Sequence, residues 1–205
     1  MPIACSICPP RTPRTTRAIA RLAAFCIVCL SSTAAASAQS AFCDELWYTR
    51  NLIFDRAGHC FQTPLGQAVF DNSDCTGSAT PNPLDGQIVG MIRATEAASG
   101  CAVDTSRRSL PQVADYAIYG RVQTIPPRSQ FESACISYIG TRIELRSGVR
   151  PDTAVIAAVE EGANITFAHD PVAGWVFVVA TNKDNTVAAG WMPDVPALNC
   201  VTFAG

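Results

Sequence analysis

Apolar positions recur at spacings of three and four between Glu45 and Phe61, and at about 100° per residue Leu46, Trp47, Ile53, Phe54 and Ala57 fall on one side of a helix. Arg50 stands in the middle of that face. An unpaired buried guanidinium costs on the order of several kcal/mol, so the pattern predicts a partner for it: loop carbonyls, or Asp71 and Asp74. Gly58 follows the run and supplies the left-handed position that ends such a helix. Thr63-Pro64 is an N-cap followed by proline at the first helical position, and predicts a short second helix reaching Phe70. Asn82-Pro83 repeats the signal, with Leu84, Ile88, Met91, Ile92 and Thr95 on one face and Gly100 as a stop. From Ala114 the period falls to two. Strands are predicted over 116–125, 133–139, 142–146, 155–159, 164–168, 175–180 and 187–192, punctuated by Gly and Asp as in a small barrel. The expected fold class is therefore α+β: a small disulfide-linked helical domain over 39–110, then an antiparallel barrel over 111–205.

The first 38 residues change the picture. Arg11, Arg14, Arg17 and Arg21 precede an apolar run from Leu22 to Leu30, and Ala36-Ser37-Ala38 follows, which is the order of a secretory signal peptide cleaved after Ala38. That apolar run is too short to span a bilayer, and no later window reaches the roughly 20 apolar residues a membrane helix needs. The expected location is secreted or periplasmic.

Four of the ten cysteines lie in that leader, leaving Cys43, Cys60, Cys75, Cys101, Cys135 and Cys200. An even number in an oxidising compartment, with no Cys-x-x-Cys pair among them, favours three disulfides over a metal site. Cys43 and Cys60 bracket a helix of about 20 Å and should not pair with each other. Sequence alone cannot select the connectivity. The expected set is Cys43 with Cys75, Cys60 with Cys101, and Cys135 with Cys200. Fifteen basic residues less the leader's four leave eleven against seventeen acidic, a net charge of −6. Such a chain has no electrostatic footprint for nucleic acid or anionic lipid, and a partner recruited by charge would be basic.

Two resemblances add to this reading. Trp47-Tyr48-Thr49-Arg50-Asn51, followed by Arg56-Ala57-Gly58-His59, resembles the YARHG domain, a module of extracellular bacterial proteins, although Phe54-Asp55-Arg56-Ala57-Gly58 replaces the motif that names the family. It implies structural roles for Trp47, Arg50, Arg56 and Gly58. Further on, Leu145-Arg146-Ser147-Gly148, Pro151-Asp152, Val155-Ile156, Glu161-Gly162, Gly174-Trp175 and Gly190-Trp191 follow an order similar to the bacterial SH3 domain, with Val149-Arg150 inserted before Pro151. That resemblance implies an SH3-like barrel and binding of cell-wall components. Trp175 and Trp191 are then candidates for an aromatic platform, with Arg146 and Asp152 beside it; the plainer expectation is that both indoles pack the core and the charges form surface pairs.

Catalytic chemistry has little to stand on. Two histidines exclude a multi-histidine metal centre. His59 is adjacent to a cysteine expected in a disulfide, and His169-Asp170-Pro171 reads as a solvated turn. Glu160-Glu161 would face opposite ways on a strand. No phosphate loop, nucleophile elbow or zinc-protease motif is present, and no cofactor or metal is implied. The reading is a non-catalytic monomer of the bacterial envelope that recognises a cell-wall component or an envelope protein. The alternative is an acidic effector such as an inhibitor of a basic hydrolase.

Overall fold

A computed structural model describes residues 32–77, 79–111, 115–195 and 198–205. The chain divides between Gln39 and Ser40, and the second unit, Ser40–Gly205, contains the sheet and three disulfides. The predicted leader lies outside the described residues up to residue 31. Helix α1 runs Ser32–Arg56, through the predicted cleavage site.

The helix ends predicted at Gly58, Thr63 and Asn82 are where the capping chemistry puts them, whereas Cys43, expected to precede the first helix, lies within α1. Beyond α1, Gly58 takes φ 86°, its N–H donates to Asp55 O at 2.8 Å, and the His59 N–H donates to Phe54 O at 3.0 Å. These two bonds are the Schellman pattern, which a left-handed residue makes possible. The Thr63 hydroxyl accepts from the Gly66 N–H to open α2, Pro64–Val69, and the Asn82 side chain accepts from the Asp85 N–H to open α3, Pro83–Ala98. At Gly66 a β-carbon would lie 2.8 Å from Phe61, so glycine lets α2 settle on that ring, which stacks on Phe70 at 4.6 Å. Leu46, Trp47, Ile53, Leu65, Ile88 and Ile92 bury the inner faces of the three helices together.

The segment predicted as a first strand, 116–125, is different. Asp115–Arg121 is a 3-10 helix. Tyr116 and Tyr119, three apart within it, are both buried, and Val122, Thr124 and Ile125 are buried beyond its end. In a 3-10 helix side chains three apart eclipse, so one face carries both tyrosines, which a strand with its period of two could not do.

Seven strands follow: β1 Arg128–Tyr138, β2 Ile143–Arg146, β3 Val155–Val159, β4 Asn164–His169, β5 Trp175–Thr181, β6 Val187–Pro193 and β7 Cys200–Ala204. All pair antiparallel in the order β3-β2-β6-β5-β4-β1-β7. The sheet is open, where a closed barrel was expected. One reason is β7, which sequence reading missed: it occupies the free edge of β1, and the Cys135–Cys200 disulfide ties the two strands together. The sheet is nonetheless curled: Cys135, Leu145, Val159, Ile165 and Val178, spread over five strands on one face, are all 0% exposed in a cluster to which no helix contributes, so the sheet wraps over its own face.

The other face of the sheet carries Trp175, Phe177 and Trp191, and these belong to the same core as the helices. That core runs across the predicted junction at 110/111. Two of the three expected disulfide pairings are corrected: Cys43 pairs with Cys101 and Cys60 with Cys75. The first joins α1 to the chain just past α3; the second closes the turn after α1 onto the loop that follows α2. Antiparallel packing of α1 on α3 decides this, since it brings the chain after Gly100 back beside Cys43.

Candidate functional site

Arg50 does find a carboxylate, though not an expected one. Its Nε lies 3.0 Å from both carboxylate oxygens of Glu96 on α3. Asp71 and Asp74, expected as its partners, play no part in that pair. The guanidinium that holds backbone carbonyls belongs instead to Arg56: Nη1 donates to Val122 O at 2.8 Å and Nη2 to Tyr119 O at 3.1 Å. Those carbonyls end the 3-10 helix, so Arg56 supplies the positive charge that a helix C-terminus favours. Trp47 and Gly58 complete the group, Trp47 in the core against Phe70 and Gly58 as the turn already described.

Of the four residues picked out as a ligand platform, Arg146 lies opposite Trp191 across β2 and β6, but they do not form an aromatic platform. Trp191 is 0% exposed, and its indole N–H donates to Thr124 O at 2.8 Å. Trp175 is buried as well. Arg146 donates to Thr153 O at 2.7 Å, and Asp152 pairs with the inserted Arg150. The two indoles face the helices, so no aromatic surface opens to solvent at these positions.

A polar cluster missed by sequence reading lies under α1. Tyr119 donates to Glu45, and its oxygen lies 3.0 Å from His169 Nε2. Arg128 Nε donates to Glu45 at 3.2 Å and Nη1 to Ala168 O at 2.6 Å. Because the phenol hydrogen goes to the Glu45 carboxylate, Nε2 of His169 carries the ring proton and donates to the phenol. The imidazole is 3% exposed and packs edge-on to Phe177, correcting the expected solvated turn. Burial first, and the nearby Arg128 charge second, lower its pKa to about 3, so the ring is neutral. Burial and the Glu45 charge push the Tyr119 phenol well above its ordinary range. Both groups are buried, and through Glu45 and Arg128 the cluster ties α1 to the sheet. Its members are scattered from residue 45 to residue 169, and no local spacing announced them.

The open site is on the concave face of the curled sheet. Phe167, Val176 and Met192 form its floor, with Asp194, Val195, Leu198 and Phe203 around the rim. The register explains the floor: Val176 lies opposite Met192, and Phe167 follows Ile165 on the same face of β4. The cavity has a volume of about 400 Å³, within the range of small-molecule and side-chain pockets, and Asp194 is the charged member of its described lining. A second, polar cleft holds Asp55, Arg56 and Asp74 beside Gly58. There, burial and the neighbouring Asp74 raise the Asp55 carboxyl above the usual range. Among the described residues no group of three or more His, Cys, Asp or Glu is placed to hold a metal ion. No described helix is long and apolar enough to cross a membrane.

Family comparison divides the chain in two. Residues 26–97 match the YARHG domain, and residues 100–205 match a domain of unknown function, DUF4453. The second match is to that family and not to the bacterial SH3 domain that the two Gly-Trp pairs resemble. No curated protein and no solved structure matches the chain.

Proposed function

We propose, given that the chain belongs to the DUF4453 family and carries a YARHG domain ahead of it, that the protein is a non-catalytic binding protein of the bacterial envelope. It takes an apolar group of a cell-wall component or envelope protein into the pocket of the curled sheet. The observation that carries this reading is the pocket itself, a cavity of about 400 Å³ with an apolar floor and the carboxylate of Asp194 at its rim. An apolar cleft with few polar groups binds by excluding water and orients its ligand through those few. Three disulfides support an oxidising compartment outside the cytoplasm, as does the YARHG match. The non-catalytic part of the reading is supported by the burial of Tyr119 and of the His169 imidazole, which with Glu45 make an acid–base arrangement.

Co-sedimentation tests it. The oxidised protein is spun with purified peptidoglycan sacculi that keep their covalently attached proteins, and with sacculi stripped by protease. Retention on both, lost in a folded Phe203→Ser variant, identifies a wall component; retention on unstripped sacculi alone, lost in the same variant, identifies a protein partner. No retention on either, or retention indifferent to Phe203, overturns the proposal.

A further inference from the structure

Strand β7 pairs with β1 on one side and, among the described residues, with no strand on the other, so an outer row of backbone donors and acceptors is left open. Exposed edges are ordinarily guarded by charged residues, proline or a bulge. From Asn199 to Gly205 there is no charged side chain and no proline, and the β1–β7 partners keep one register, with the left-handed Ser137 on the inner strand β1 and not on the edge. Val201 is 66% and Phe203 61% exposed. The opposite edge is guarded: β3 is followed by Glu160-Glu161 and preceded by Asp152, and its pairing with β2 is interrupted by a register shift.

The bare edge is complementary to itself. An antiparallel pairing of β7 with β7 of a second copy, about a two-fold axis at Thr202, sets Val201 of each copy opposite Phe203 of the other. Aromatic and β-branched residues directly opposite one another are favourable cross-strand pairs. An acidic protein normally resists self-association through like-charge repulsion, but no charged side chain lies in this strand to oppose it. The pairing also builds onto the pocket: Phe203 forms part of its rim, and Val201 of the second copy would extend that apolar wall.

We propose that β7 is a homodimer interface, pairing antiparallel across a two-fold axis at Thr202 to make one continuous sheet through two copies. This inference goes beyond the binding function and does not depend on what the pocket holds.

Sedimentation velocity from low to high micromolar protein gives the first reading, and a dimer that dissociates on dilution is expected. Val201→Lys should return the protein to monomer with an unchanged circular dichroism spectrum, because each lysine would stand opposite Phe203 of the other copy and a charge on an edge strand opposes pairing. Thr202→Cys should form a covalent dimer on mild oxidation, since a residue on the axis meets its own copy at cross-strand distance. Val155→Cys, on the guarded edge, should not. A monomer at every concentration overturns the proposal, as does a dimer indifferent to Val201→Lys or cross-linked through Val155→Cys instead of Thr202→Cys.

Discussion

A charge on the inner side of a helix is tolerated when a partner arrives from another element, and α1 carries three such residues. Asp44 meets Arg107 of the loop after α3, Glu45 meets Arg128 and Tyr119, and Arg50 meets Glu96. Each bond fixes where a neighbouring element lies on α1, which an apolar contact of the same area would not do. His169 is the most exacting member because burial keeps it neutral. The unfolded chain takes up a proton near the ordinary histidine value of 6.5, whereas the folded chain resists until about pH 3, so the unfolded state binds more protons in between. Stability is full above about pH 6.5 and falls as pH drops toward about 3, by on the order of a few kcal/mol for a group this enclosed. Asp55 and Asp85, raised by burial, act in the opposite direction, so the comparison is made against a variant that shares them. Urea midpoints of wild type and His169→Gln at about pH 7 and about pH 4 should show the larger loss in the wild type. Equal losses would remove His169 from the acid response.

At the scale of elements, the helices are bounded by local chemistry and the strands by what they lie against. Gly58 at φ 86° closes α1 and also accepts the Thr76 and Gly77 N–H groups at 3.0 Å, so one turn ends a helix and anchors the loop that holds Cys75. Gly58→Ala should cost about 1 kcal/mol or more through the left-handed backbone alone, read as a lower urea midpoint with an unchanged slope. A fully tolerated alanine would show that the turn is not needed. The 3-10 helix shows why an alternating reading fails in a short aromatic stretch. Tyr116, Ile118 and Val122 suit a strand by residue type, yet within the helix Tyr116 and Tyr119, three apart, are the buried pair. Strand β7 fails for the reverse reason: an edge strand exposed along most of its length shows no burial alternation to detect.

Across the whole molecule, three disulfides staple a helical layer that is thin for its length and a sheet that does not close. The Cys43–Cys101 bridge spans 58 residues and Cys60–Cys75 spans 15. Closing the longer loop restrains the unfolded chain more, about 4 kcal/mol against about 3 by loop entropy. Replacing Cys43 and Cys101 together by Ala should therefore lower stability more than replacing Cys60 and Cys75, as read from guanidinium unfolding. Peptide mapping without reductant should recover the pairs 43–101, 60–75 and 135–200. The reverse order of stabilities would mean that native packing, and not the loop, sets the contribution of each bridge.

Features that are local or countable were legible in the chain alone. Helix ends at Gly58, Thr63 and Asn82 follow from residues within four positions, six of the seven strands lie within a few residues of their alternating runs, and an even set of six cysteines already required pairing. The YARHG motif was legible because its residues are contiguous. Everything else waited on the folded arrangement, because each remaining feature depends on residues that meet across a long stretch of chain. The partner of Arg50 required α3 to lie against α1, the neutral His169 required Glu45, Tyr119 and Arg128 to close over it, and the disulfide pairing required the helix packing. The apolar pocket required the sheet to curl without closing, and curl comes from the summed twist and packing of all seven strands, which no single segment carries.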